Sequence, residues 1–175
     1  MAIATLARPA AGEFAPYYGA YVGAVPEGDL VGLLERQGAE TATLLSGVDE
    51  ARAAHRYAPG KWTVRQVVGH MVDAERVFTF RALHFARGAG TPLPSFDENS
   101  WAEIAQADHR TLASHVAEFV AVRAATVALF RGFSAADAAR SGTASGHVVT
   151  VRALAFITAG HERHHVSILK EKYGL

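Results

Sequence analysis

The chain has no cysteine among its 175 residues. Disulfides are thereby excluded, and so are thiolate nucleophiles and thiolate metal ligands. Any metal site must be built from histidine, carboxylate and water. An excess of charge of one sign is also missing: 17 Lys and Arg balance 17 Asp and Glu, and the pI is near 7.1. With no basic tract to draw in phosphates, no nucleic-acid partner is expected. Nor is there an uninterrupted apolar run of about 18 residues. Even "VAEFVAVRAATVALF" is broken by Glu118 and Arg123. The N-terminal stretch lacks a charged region followed by an apolar one, so neither a secretory leader nor a membrane span is expected. The expectation is a soluble, cytoplasmic protein, with residues 1–175 forming a single domain large enough for a core.

Half of the residues are hydrophobic, and in four segments they recur at helical spacing. The first follows Asp29, with Leu30, Leu33, Leu34 and Leu44 marking an apolar face to about Val48. The second opens at Thr63 and carries Val64, Val67, Val68, Met71, Ala74, Phe78 and Phe85, before Gly88 and Gly90 end it. The third runs from about Arg110 to Phe133, with Leu112, Val116, Phe119, Val120, Val127 and Phe130 facing inward. The fourth runs from near Thr150 to Lys172, with Val151, Leu154, Ala155, Ile168 and Leu169 on one side and Gly174 just beyond. The connection "GAGTPLPSFDENSWAEIAQAD" is long, and it is expected to pack over one end of the bundle. Within the connections, "SWAEIAQA" and "SAADAARSG" suggest short helices, and "SGHVV" a brief extended piece. The pattern predicts an all-α antiparallel four-helix bundle with a long connection between its second and third helices.

Nine histidines are present. His55, His84, His109, His115 and His147 are read as surface or capping residues. Three others fall differently. On the fourth helix the apolar stripe steps 151, 154, 155, 158, 161, 165, 168, 169. His161 and His165 thus stand where leucine is expected, four apart and on one face. His70 lies at the edge of the second helix's stripe and can also point inward. Buried imidazoles need partners. These rings could bond carboxylates or backbone, or they could share a metal ion, with His70 completing the set from a facing helix.

"GHERHH" also matches H-E-x-x-H, the zinc-peptidase motif, in which the glutamate is the general base. The context argues against a peptidase. Only ten residues follow His165, and Glu171, the one carboxylate side chain among them, lies near the opposite side of the helix. No strand-rich half exists to hold an extended peptide. Glu162, about 100° around the helix from His161, could reach behind the metal ligands or face solvent, and solvent is favoured. His164, three after His161, could replace His165 as its partner, but the stripe places it at a flank against a neighbouring helix or subunit.

Together, "APGKWTVRQVVGHMVDAERVFTFRAL" and "GHERHHVSILKEKYG" resemble the signature of the DinB-like superfamily. "FAPYYGAYVGAVPEGDLVGLLERQ" and "LPSFDENSWAEIA" are similar to its members as well, so the resemblance covers nearly the whole chain. It implies a four-helix bundle holding a divalent metal, zinc or nickel, on His70, His161 and His165. It also implies kinship with bacillithiol transferases and mycothiol-dependent isomerases, hence a low-molecular-weight thiol cosubstrate and a homodimer. Asp73 and Glu75 with Arg76 match the family pattern. Asp73, one turn beyond His70, could orient a ligand or join the metal shell, and the other reading is an ordinary helix ion pair or surface charge. Trp62 is read as an anchor of its turn, and the 88–107 loop, with Phe96, Asp97, Glu98 and Trp101, either as the rim of a site or as a cap on the core.

Two functions follow. One is a metal-dependent enzyme of thiol S-transferase or hydrolase type acting on a small molecule. The other is a non-catalytic metal-binding or stress-related bundle.

Overall fold

Each periodic segment becomes a helix that starts where a side chain satisfies free backbone amides. In the computed structural model, which describes residues 6–175, the helices in chain order are α1 (Gly19–Gly23), α2 (Leu30–Ser46), α3 (Glu50–Ala53), α4 (Val64–Ala86), α5 (Glu98–Ile104), α6 (Leu112–Arg131), α7 (Ala135–Ala139) and α8 (Val151–Tyr173). Asp29, Thr63, Thr111 and Thr150 cap the four long ones, and Thr63 forms a full capping box with Gln66. Each such cap contributes about 1 kcal/mol. Gly174 closes α8 at φ 67°, a left-handed conformation that suits glycine. The expected extended piece is one arm of a hairpin. β1 (Ser141–Ala144) pairs antiparallel with β2 (His147–Thr150), Ser141 opposite Thr150.

The four long helices pack as a ring, α4 against α6 and α8, and α2 against α6 and α8. Directions follow from contacts at their ends. The Tyr173 hydroxyl at the end of α8 donates to the Trp62 carbonyl just before α4 (2.5 Å), so those two helices are antiparallel. Arg131 at the end of α6 pairs with Glu35 early in α2, so that pair is antiparallel too. Thr63 and Asp108, just before α4 and α6, are hydrogen-bonded (2.8 Å), so α4 and α6 run the same way. The connection between them must therefore travel back along the bundle, about 35 Å for a helix of this length. It does so on the outside. Leu93 bridges to Ala144 of the hairpin at one end, and Asp108 reaches Thr63 at the other. The segment expected to cap one end instead spans the bundle's length, because two like-directed helices cannot be joined by a short turn.

Two apolar clusters fill the interior. One includes Leu34, Phe78, Phe85, Phe130, Leu154 and Ile157. The other includes Leu45, Val68, Met71, Leu112, Phe119 and Leu169. Each such side chain contributes about 1.5–3 kcal/mol by leaving water. Two readings of α6 are corrected. Val120 is 49% exposed rather than inward, because Phe119 holds the inward position beside it. His115, read as a surface residue, is buried, and its Nε2 bonds to the Ala107 carbonyl (2.8 Å). By length and composition alone α6 could cross a membrane. Here it is a bundle helix whose Arg123 lies buried between two glutamates.

Candidate metal centre

His70 sits two turns into α4, and His161 and His165 lie one turn apart near the middle of α8. Antiparallel packing of α4 on α8 brings the three rings together. His70 Nε2 is 3.0 Å from His161 Nε2, and His165 Nε2 is 3.1 Å from the same atom. All three residues are buried, and their ligand atoms lie within 4.8 Å of one another. Among the described residues, this is the one group of three such side chains close enough to share an ion.

Burial disfavours the imidazolium forms. It holds His70 down to about 4 and His165 down to about 3, and it places His161 well below its usual value. At neutral pH the cluster is therefore uncharged, and lone pairs rather than protons can be turned inward. The donor set fits a divalent ion. Nitrogens this close can bond one ion at about 2.0–2.1 Å, and three imidazoles are a ligand set that leaves coordination positions free.

The cluster forms the floor of a pocket of about 260 Å³. The N-terminal segment supplies one wall. Tyr21 of α1 stands edge-on to His161 (5.6 Å between centroids) and also touches His164 (5.2 Å). Tyr17 and Tyr18 lie beside it. Burial raises the phenols of Tyr18 and Tyr21, so both remain protonated. Trp62 forms a second wall. It anchors its turn through the bond from Tyr173, as expected, and its ring also leans on His70 at 4.9 Å. Of the four residues expected at the rim, the crossing segment supplies Phe96 and Glu98. Asp97 caps α5, and Trp101 does not line the pocket but packs on Phe96 at its outer side.

Two residues hold these walls in place. A Cβ on Gly160 would lie 2.1 Å from the Tyr21 carbonyl oxygen, so only glycine lets α1 approach α8 this closely. Arg81 is buried and gathers three segments. It donates to the Pro94 carbonyl (2.8 Å) and to Ser145 Oγ (3.0 Å), and its guanidinium lies over the Phe96 ring. Ser145, in the hairpin turn, has φ 53°, a conformation uncommon outside glycine, and it lines the pocket.

Glu162, expected at the surface, is only 2% exposed. It points into the bundle, where it meets a polar layer drawn from all four long helices. Arg123 of α6 donates two bonds to Glu75 of α4 (2.9 and 2.7 Å), one to Glu162 (2.6 Å) and one to the Leu34 carbonyl (2.9 Å). Thr41 of α2 donates to Glu162 at 2.7 Å, and Gln37 donates to it as well. Both carboxylate oxygens of Glu162 are thus held by partners inside the bundle, and Glu162 does not line the histidine pocket, which argues against the general base that the peptidase motif requires. Glu75 belongs to this layer and not to a surface pair. Asp73 and Arg76 do form an ordinary i, i+3 contact at 3.9 Å. The signal for the layer lay in the stripes. Arg123 stands four after Phe119, Glu75 four after Met71, and Glu162 four after Thr158, all at inward positions. Sequence reasoning also missed the tyrosine wall, whose trace is the i, i+1, i+4 spacing of Tyr17, Tyr18 and Tyr21.

Three comparisons bear on this arrangement. The model of the DinB superfamily matches residues 33–169. A Geobacillus kaustophilus (strain HTA426) protein named "Putative metal-dependent hydrolase GK0616" is 27% identical over 137 residues, covering 75% of this chain and 77% of that one. Among solved structures, YfiT from Bacillus subtilis, described as "a probable metal-dependent hydrolase with an unusual four-helix bundle topology", is similar with a TM-score of 0.73 at 21% identity. That match covers 83% of this chain and 86% of that one. The mycothiol-dependent maleylpyruvate isomerase has a TM-score of 0.63 at 20% identity, over 78% of this chain and 58% of its own length. At these identities the structural matches speak for the fold.

Proposed function

The chain belongs to the DinB superfamily, and from that premise we propose that it is a metal-dependent enzyme of hydrolase or thiol-transferase type, with His70, His161 and His165 holding the ion. The observation that carries this reading is the convergence of three buried Nε2 atoms, from two helices, on the floor of an open pocket. A divalent ion, zinc or nickel, would supply Lewis acidity there, bringing a water or a thiol to ionisation near neutral pH. The chain's own residues do the rest. The imidazoles present lone pairs without proton competition, and Trp62 and Tyr21 flank the approach. Since the chain has no cysteine, a thiol would have to arrive as a cosubstrate of low molecular weight.

The test is elemental analysis of protein purified without a nickel column. The expected result is close to one zinc or nickel per chain, lost in the His161→Ala and His165→Ala variants, with helical circular dichroism retained. Wild-type protein that stays free of metal after incubation with zinc and with nickel would overturn the reading.

A further inference from the structure

The composition of the pocket wall is one-sided. Above the histidine floor it presents Tyr17, Tyr18, Tyr21, Trp62, Phe78 and Phe96, and no lysine or arginine lines it. Arg81 is not among the lining residues; its guanidinium bonds the Pro94 carbonyl and Ser145 Oγ, lies over the Phe96 ring and also bears on the Tyr18 phenol. One carboxylate, Glu98, lines the same space. It stands in the first turn of α5, whose amides are capped by Asp97 and not by Glu98. Among the described residues the Glu98 carboxylate has no ion-pair or hydrogen-bond partner. It is half-buried and lines the pocket. The three tyrosines form a packed group with centroids 5.2–6.1 Å apart.

Aromatic faces and edges around one uncompensated carboxylate are the surroundings that stabilise an organic cation. Ring quadrupoles attract it, and the carboxylate supplies the counter-charge. The same surroundings repel a carboxylate or phosphate anywhere except at the floor. We propose that this pocket takes a small substrate carrying an amino or quaternary ammonium group, which sits against Glu98 and the tyrosines while the reacting end reaches the histidine cluster. The assignment rests on the reading of that cluster as the reacting end. The size of the pocket fits the proposal: about 260 Å³ suits a small metabolite.

The pocket's preference can be read without knowing the substrate. Calorimetric titrations would compare choline, its uncharged isostere 3,3-dimethylbutan-1-ol and the matching carboxylate 3,3-dimethylbutanoate. They would be run on the full chain before and after chelation, with metal content measured on every sample. Choline is informative because its quaternary nitrogen cannot bind a metal. The expected result is that choline binds about tenfold or more tightly than the alcohol, and that Glu98→Gln removes about tenfold of the choline affinity while leaving that of the alcohol unchanged. Equal affinity for choline and the alcohol, no binding of choline, tighter binding of the carboxylate after chelation, or unaltered choline binding in Glu98→Gln would each overturn the proposal. Choline selectivity in samples that never take up metal would sink the metal reading alone. Metal-loaded protein without that selectivity would sink the ammonium pocket alone.

Discussion

Replacing Arg123 by methionine isolates the polar layer at the centre of the bundle. The side chain keeps much of its length and loses its charge. Four hydrogen bonds disappear, and Glu75 and Glu162, 4% and 2% exposed, are left without a cation between them. Removing one partner of a buried pair costs about 3–5 kcal/mol, because the remaining charge stays desolvated. At about 2.1 cal/mol/K per residue, a chain of this length unfolds with an entropy near 0.37 kcal/mol/K. The expected drop in Tm is therefore about 8–14 °C. The control is Arg131→Met, which breaks the pair with Glu35 at 2.9 Å, where both side chains are more than half exposed. There the loss is below about 1 kcal/mol, or less than about 3 °C. Replacing Glu75, Arg123 and Glu162 together by leucine and methionine removes the desolvated charges and is expected to recover most of the Arg123→Met loss. Thermal melts by circular dichroism at neutral pH measure all three. An Arg123→Met Tm within about 3 °C of wild type would refute the reasoning, since the layer would then add nothing beyond a surface pair.

Gly160→Ala tests the contact between α1 and α8. On an open helix face the change would stabilise by about 0.5–1 kcal/mol. Against the Tyr21 carbonyl at 2.1 Å it must push α1 away, so a loss of about 1–3 kcal/mol and faster hydrogen exchange in residues 16–25 are expected. A raised Tm would rule out the close approach. Acid should weaken the anchor of the N-terminal segment. Glu13 is held at about 2, first by its hydrogen bonds from Arg152 and also by Thr150. A depressed carboxyl stabilises the fold above its unfolded value, and that contribution is lost as pH falls from about 4.5 towards 2. The Tm gap between wild type and Glu13→Gln should accordingly be widest near neutrality and shrink by pH 3. A gap that does not vary with pH would count against the pairing.

Much of this molecule was decided locally and could be read from residue order. Helix starts follow from caps such as Thr63 and Thr150, whose side chains bond amides three residues on. Inward faces follow from 3.6-residue periodicity, and that periodicity places His161 and His165 on the face turned towards the interior. The absence of cysteine restricts the donors. The remainder was set by packing between helices distant in sequence. Local order carries no record of which helices run in the same direction, so the path of the 87–111 connection along the bundle became visible only in three dimensions. A charged residue on an apolar stripe looks like an interruption until its partners are known. Arg123, Glu75 and Glu162 each cost free energy to bury alone, and each is tolerated because the other two arrive from different helices. The same holds for the candidate site. Sequence places His70 at the edge of its stripe, and only the antiparallel seating of α4 on α8 brings its Nε2 within 3.0 Å of His161. Tertiary packing likewise turns Glu98 and the three tyrosines, otherwise ordinary loop and short-helix residues, into the walls above it.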